Sequence, residues 1–174
     1  MNNQELSNEL NLQFTELLRM LSSLSEEELN QVPFEGSWTA AQVGDHLSKG
    51  YNILPILSGN TEPANRPIDE KLDGIRAVFL DFSTKLESPE EIVPDGGPFE
   101  KAELIGRLTT QTQLLTSFAQ HNDLTLVCLD SELPQIGTLT RYEWLSFMGI
   151  HTQRHIHQLQ KIIQHLNNAL LATR

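Results

Sequence analysis

Three histidines, His46, His151 and His155, are the side chains of this sequence whose type and spacing best suit metal chemistry. In a helix, the four-residue step from His151 to His155 turns the second ring by about 40° and raises it by about 6 Å. Two imidazoles placed in this way share one helix face, at a separation that a single cation can bridge. If the fold brings His46 beside them, the three form a predicted three-nitrogen site for a divalent metal.

A metal held by three neutral imidazoles keeps its full charge and has open coordination positions. Such a site lowers the pKa of a bound water, for hydrolysis, or of a bound thiol, for transfer to an electrophile. Zinc is the first expectation, and nickel, iron and manganese are alternatives, because imidazole suits several of these ions. The chain offers no obvious nucleophile of its own, since Cys128 lies in an apolar run and is expected to be a small buried side chain.

The alternative is that these are core histidines satisfied by carbonyls, carboxylates or water, because a His-x-x-x-His pair without the zinc-protease glutamate is a weak signal. The other histidines fit a shared site less well than His46. His157 is expected in solvent, because it is turned about 200° from His155. His165 lies about 15 Å farther along the axis, and His121 follows a predicted helix end, where it can interact with the helix dipole.

Four polar residues near the histidines have two interpretations each. Gln42 either lines the site or completes a helix cap. Gln158 either lines the site or faces solvent. Asp45 either orients a ligand or, as its angle of about 100° from His46 favours, lies on the surface. Arg154 either meets an anionic substrate or belongs to a solvated helix face.

The elements that must position the histidines are predicted from apolar spacing and capping patterns. Long helices are expected over about 3–24, from 40 to near Pro55, over about 99–120 and from 140 onwards, with short helices at 25–31 and 69–82. Capping boxes are predicted at Ser25, Thr39 and Thr140, and Trp38 and Trp144 are expected to staple helix starts. Residues 121–139 are ambiguous, because 124–129 could be extended. We therefore predict one all-α domain over 1–174, a four-helix bundle with a long connection between the second and third main helices.

The last helix decides how its histidines are interpreted, because they interrupt an apolar stripe. An imidazole in that stripe points into the bundle, where it needs a partner for its nitrogens, and a metal is one such partner. Leu170 lies alongside the inward stripe, which consists of Trp144, Met148, His151, His155, Leu159, Ile162 and Leu166.

Composition narrows the partners that we expect. The net charge is −11, from 12 basic and 23 acidic residues. The sequence shows no basic patch, so we do not expect a nucleic-acid or anionic-membrane partner. No apolar run approaches the roughly 20 residues that cross a bilayer. The polar start predicts no secretory signal, and a single cysteine fits a reducing cytoplasm.

Two motifs resemble those of the DinB/YfiT-like superfamily. The first is WTAAQVGDHL at 38–47, and the second is LTRYEWLSF at 139–147 followed by HTQRHIHQL at 151–159. The resemblance implies a four-helix bundle, often dimeric, with a divalent metal on His46, His151 and His155. It also implies a transferase or isomerase using a low-molecular-weight thiol such as bacillithiol or mycothiol, or a metal-dependent hydrolase. Where relatives carry a His-Pro-x-Phe-Gly-like segment, residues 132–137 read ELPQIG, which suggests a different substrate.

Three functional hypotheses follow. The first is a metal-dependent enzyme acting on a small molecule, either a thiol-dependent S-transferase or a hydrolase, in a homodimer. The second is a non-catalytic bundle that binds a metal or a small ligand, because no general acid or base stands out. The third is a subunit-assembly module with vestigial histidines.

Overall fold

The computed structural model of the protein describes residues 2–172, apart from the side chains of Leu170 and Ala172, so the predicted place of Leu170 beside the stripe lies outside the described part. The helices are α1 (Asn3–Ser23), α2 (Glu26–Asn30), α3 (Ala40–Gly50), α4 (Leu54–Ser58), α5 (Leu72–Phe79), α6 (Lys101–His121) and α7 (Arg141–Ala172). A 3₁₀ turn spans Glu90–Ile92, and the strands are β1 (Thr61–Pro63), β2 (Leu126–Leu133) and β3 (Gly137–Thr140).

The predicted capping boxes set the starts of three helices. Ser25 caps α2 with Glu28, and Thr39 caps α3 with Gln42. At α7, Thr140 Oγ1 accepts from the Glu143 backbone N–H at 3.0 Å, and Glu143 Oε2 accepts from the Thr140 N–H at 2.9 Å. The helix starts were therefore predictable because each box satisfies backbone donors that the helix itself leaves free.

The core lies between the four longest helices. α1 packs against α6 and α7, and α3 packs against the same two helices. The predicted helical fold is confirmed at this level, while a strict four-helix bundle stays a prediction. No helix in the described range is both long and apolar enough to cross a membrane.

The all-α prediction needs one correction, because the ambiguous region forms strands. β1, β2 and β3 make an antiparallel sheet in that order, with Thr61 opposite Cys128 and Val127 opposite Thr140. The β2–β3 turn has Gln135 at φ 66° and Gly137 at φ 84°, a backbone conformation that glycine adopts readily. Strand pairing across about sixty residues has no local sequence signal, so it could not be predicted from periodicity.

Proline divides the second predicted long helix. α3 ends at Gly50, and α4 begins at Leu54 with Pro55 in its first turn. A proline is tolerated there because the first turn of a helix needs no backbone N–H donor. His46 consequently lies in the second half of a short, well-capped helix.

Gly44 allows α3 to pack closely on its neighbours. A Cβ atom there would lie 3.1 Å from Leu104 Cδ2 and 3.3 Å from Leu21 Cδ1. We expect Gly44→Val to lower the free energy of unfolding by about 1–3 kcal/mol, because it overpacks this contact. Urea denaturation measures the loss, and Gly106→Val on α6 is the matched control, because its Cβ would meet nothing within 4 Å. Equal losses in both variants would contradict the packing argument.

Candidate metal centre

The structure brings together the three predicted histidines. His46 lies on α3, and His151 and His155 lie one turn apart on α7. The side chains are buried, with exposed fractions of 3%, 6% and 7% respectively. His151 Nε2 is 3.1 Å from His46 Nε2 and 3.0 Å from His155 Nε2.

These separations fit one metal ion. With metal–nitrogen bonds of about 2.0–2.1 Å, ligand nitrogens at tetrahedral to octahedral angles lie roughly 2.9–3.4 Å apart. One nitrogen from each of the three rings lies within 4.8 Å of the other two, and no carboxylate or thiol of the described residues joins the group. The donor set is thus three imidazoles, which leaves coordination positions open.

The partners of the outer ring nitrogens point the lone pairs toward a common centre. His46 Nδ1 is 2.8 Å from the Ile92 carbonyl oxygen, which can only accept, so we assign the hydrogen to Nδ1. His155 Nδ1 is 2.8 Å from Gln158 Oε1 and is assigned in the same way. Both Nε2 lone pairs then face His151 Nε2, and a cation between the rings satisfies all three nitrogens.

Burial keeps the three rings neutral near pH 7. Desolvation is the largest cause in each case: it lowers the pKa of His46, lowers that of His155 to about 3, and holds that of His151 well below its usual value. Charge on a neighbouring histidine further disfavours protonation of His151 and His155. A neutral imidazole is the form that binds a metal.

Aromatic rings surround the histidines. The Trp38 ring lies 5.1 Å from that of His46, so this tryptophan borders the centre, beyond the stapling role predicted for it. Phe147 stacks on His151 with ring centroids 5.6 Å apart, and Phe79 lies 4.8 Å from Phe147. These rings exclude water from two of the imidazole faces, which fits the lowered pKa values.

The two candidate glutamines have different roles. Gln158 contacts the centre, as one of its two interpretations had it, because its amide oxygen faces His155 Nδ1. Gln42 completes the cap of α3, and its Nε2 also donates to the Asp95 carbonyl at 3.2 Å. Gln42 therefore holds the segment whose Ile92 carbonyl bonds to His46.

The expectation that Asp45 lies on the surface was wrong. Only 2% of this residue is exposed, and its Oδ1 is 2.7 Å from Arg107 Nη2. Its Oδ2 accepts from the Asp95 backbone N–H at 3.0 Å and lies 3.3 Å from Lys49 Nζ. The cause is tertiary, since residues 92–95 cover a helix face that helical geometry alone leaves in solvent.

Arg154 has a role that neither of its two interpretations included, because it bonds to backbone carbonyls. Its Nη1 donates to the carbonyls of Phe79 and Asp81, both at 3.0 Å, and its Nη2 donates to that of Thr84 at 2.6 Å. The guanidinium is thus occupied by backbone oxygens of the connection after α5. These three bonds secure that connection beside the centre.

The remaining histidines lie apart from the centre, as predicted. His157 is half-buried instead of solvated, because it stacks on Phe82 with centroids 4.1 Å apart. His121 Nδ1 is 2.9 Å from the Ser117 carbonyl oxygen in the last turn of α6, and His165 is exposed beside Phe34.

Two further residues in the strands bear on the chemistry. Cys128 is buried, as expected, and burial raises the pKa of its thiol to about 11, which makes it a poor nucleophile. The segment that departs from the family pattern forms the β2–β3 turn. Lys71 Nζ donates there to the carbonyls of Ile136 at 2.9 Å and Thr138 at 2.7 Å, so the turn is fastened to the start of α5.

Comparisons with known proteins identify the family of this chain. The model of the DinB superfamily matches residues 9–159. YuaE, an uncharacterized protein of Bacillus subtilis (strain 168), is 27% identical over 153 residues, covering 86% of this chain and 91% of that protein. A crystal structure assigned to the DinB family, from Exiguobacterium sibiricum 255-15, superposes with a TM-score of 0.59 at 17% identity, over 95% of this chain and 91% of that one. The structural likeness supports the fold alone.

Proposed function

Because this chain belongs to the DinB superfamily, we propose that it is a divalent-metal-dependent enzyme whose metal is held by His46, His151 and His155. The reaction proposed first is transfer of a low-molecular-weight thiol, such as bacillithiol, to a small electrophile. Hydrolysis is the second reaction for the same site. Zinc is the proposed metal, and a homodimer in the cytoplasm is the proposed working form.

One observation carries the proposal, namely three buried Nε2 atoms that face one another. A neutral His151 has at most one hydrogen on Nε2, yet two lone pairs point toward it, at 3.0 and 3.1 Å. In the absence of a cation, at least one of these buried contacts is unsatisfied, which costs free energy. Binding of a divalent ion removes that cost and needs no rearrangement of the ring partners.

The ion, when bound, supplies Lewis-acid chemistry at its open positions, where it lowers the pKa of a thiol or water ligand. The residues of the chain orient and shield that ligand. The Ile92 carbonyl and Gln158 fix two imidazole planes, and Trp38 and Phe147 keep water from the rings. These contacts hold the three nitrogens in place before the substrate arrives.

The surroundings favour thiol transfer over hydrolysis. Hydrolysis commonly uses a carboxylate to move protons near the metal, but the buried carboxylates of the described residues are engaged in ion pairs. Asp45 pairs with Arg107, and Glu143 pairs with Arg66. A thiol requires less help, because its pKa of about 8.5 is much nearer to neutrality than that of water.

Metal analysis of the protein purified without chelators tests the metal centre. We expect close to one divalent ion per chain in the wild type and a fall to background in His155→Ala, because two imidazoles rarely hold zinc tightly. His165→Ala is the matched control, since it removes an exposed histidine of the same helix. Negligible metal in the wild type would contradict the proposal.

Turnover separates the enzyme from its alternatives. We expect the wild type to consume bacillithiol with a model electrophile, and His46→Ala to lose that activity. Water-dependent cleavage of ester or amide substrates without thiol consumption would support the hydrolase instead.

A non-catalytic metal-binding module is the second candidate function. It is favoured by the low exposure of the ligands, none of which exceeds 7%. Metal at full occupancy with no turnover of any thiol or water substrate would support this candidate over the enzyme.

A further inference from the structure

The polar face of α3 is formed by four residues at successive helical contact positions: Gln42, Asp45, His46 and Lys49. A helix face of this composition is normally solvated, yet here it is covered by residues 92–95, which we call the covering segment. His46, a ligand of the proposed metal, is one of the four. The bonds between the covering segment and α3 therefore affect the surroundings of a ligand of the proposed metal.

Each residue of the polar face bonds to the covering segment. Gln42 Nε2 donates to the Asp95 carbonyl at 3.2 Å, and Asp45 Oδ2 accepts from the Asp95 N–H at 3.0 Å. Lys49 Nζ donates to the Val93 carbonyl at 2.8 Å and to Asp95 Oδ1 at 2.7 Å. His46, the fourth residue of the face, bonds through Nδ1 to the Ile92 carbonyl at 2.8 Å.

We propose that Asp45 is a positioning residue for the metal centre and acts on His46 through the covering segment. Its carboxylate fixes the backbone at Asp95, three residues from the Ile92 carbonyl that orients the His46 ring. That carbonyl keeps the hydrogen on Nδ1 and the Nε2 lone pair toward the other two histidines. The inference rests on the proposed function, because it concerns the same metal.

The surroundings of Asp45 explain why a carboxylate is needed at this position. Arg107 reaches it from α6, at 2.7 Å, and Lys49 reaches it from the next turn of α3, at 3.3 Å. The charge of Asp45 thereby holds Lys49 Nζ, which also donates to the Val93 carbonyl. An uncharged residue could bond to the Asp95 N–H but could not hold Arg107 and Lys49 equally strongly.

The first readout needs no metal. Long-range ¹H–¹⁵N correlation spectra of the metal-free protein report which nitrogen of His46 carries the hydrogen. We expect the Nδ1–H form in the wild type and a mixture of both forms in Asp45→Ala and, to a smaller extent, in Asp45→Asn. A wild-type-like spectrum of His46 in Asp45→Ala would overturn the inference, whatever the metal content of the protein.

The second readout is the dissociation constant for zinc, measured by competition with a chromophoric chelator. We expect Asp45→Ala to weaken binding about tenfold, as changes to the groups behind metal ligands commonly do. Glu143→Gln is the matched control, because Glu143 is also a buried carboxylate paired with an arginine, and its other bonds are to the backbone N–H groups of Lys71 and Thr140. An equal weakening in Glu143→Gln would overturn the inference.

Lys49→Met distinguishes positioning from simple charge effects. Lys49 disfavours positive charge at His46, so its removal should strengthen zinc binding if only charge mattered. Our inference gives the opposite sign, a several-fold weakening, because the covering segment loses two bonds. Stronger binding in Lys49→Met would count against it. Absence of zinc binding in the wild type would instead refute the proposed function, and the His46 spectrum would still decide the inference.

Discussion

Glu143→Ala is expected to lower the free energy of unfolding by about 3–5 kcal/mol, because it leaves the partly buried Arg66 guanidinium and two backbone N–H groups without their carboxylate. Glu143 is fully buried, and both of its oxygens accept from the Arg66 guanidinium at 2.7 Å. The same carboxylate accepts from the backbone N–H groups of Thr140 and Lys71, both at 2.9 Å. One side chain thus joins the start of α7, the residues before α5 and the end of β3.

The pKa of Glu143 supports this interpretation. Burial alone would raise it, but the bonds from Arg66, Thr140 and Lys71 outweigh burial and hold the pKa below its usual value. The carboxylate therefore stays ionised at pH 7 and pairs with Arg66, whose side chain is 16% exposed. Removal of the carboxylate leaves a cation and two backbone donors without their acceptor.

Urea denaturation at pH 7 measures the loss, and a double variant identifies its cause. Arg66→Met with Glu143→Leu removes both charges together, so it should recover a large part of the stability lost in Glu143→Ala. A double variant as unstable as the single one would show that the lost helix cap, and not the stranded charge, is responsible. A loss below about 1 kcal/mol in Glu143→Ala would contradict the argument altogether.

Helix starts and the histidine group were predictable because their signals are local. Thr39 and Thr140 each satisfy backbone donors three residues ahead, and the His151–His155 pair replaces core residues in an apolar stripe. A position on that stripe fixes the direction in which a side chain points. Helical geometry therefore predicted that both rings point into the bundle, and His46 was the other histidine placed to join them.

Apart from the bond of Gln158 to His155, which lies within one helical turn, the contacts that support those rings come from segments distant in the sequence and were not predictable. Asp45 faces the side of α3 that would be solvated if residues 92–95 did not cover it. Arg154 likewise bonds to carbonyls 70 to 75 residues earlier. No local sequence pattern predicts that a distant segment will cover a helix face, since backbone carbonyls have no sequence signature. The grouping of the three histidines could thus be predicted from one sequence, whereas the distant backbone groups around them could not.

Acid is expected to destabilise the metal-free protein through its buried histidines. The pKa of His155 is about 3 in the folded protein, against about 6.5 in an unfolded chain. A depressed pKa contributes stability above the unfolded value, and that stability is lost as the pH falls from about 6.5 through the folded pKa. At pH 5, His155 alone lowers the free energy of unfolding by about 2 kcal/mol, because its ring binds a proton in the unfolded chain and stays neutral in the folded one.

The comparison of the wild type with His155→Gln isolates this contribution, since glutamine does not titrate in this range. Chemical denaturation with chelator present should show that the stability difference between the two proteins shifts by about 2 kcal/mol in favour of the variant between pH 8 and pH 5. A difference that is independent of pH would mean that His155 is not buried as a neutral ring. Saturating zinc should protect the wild type against acid in this window, because metal and protons compete for the same nitrogens. The variant, which lacks one of those nitrogens, should gain little from zinc.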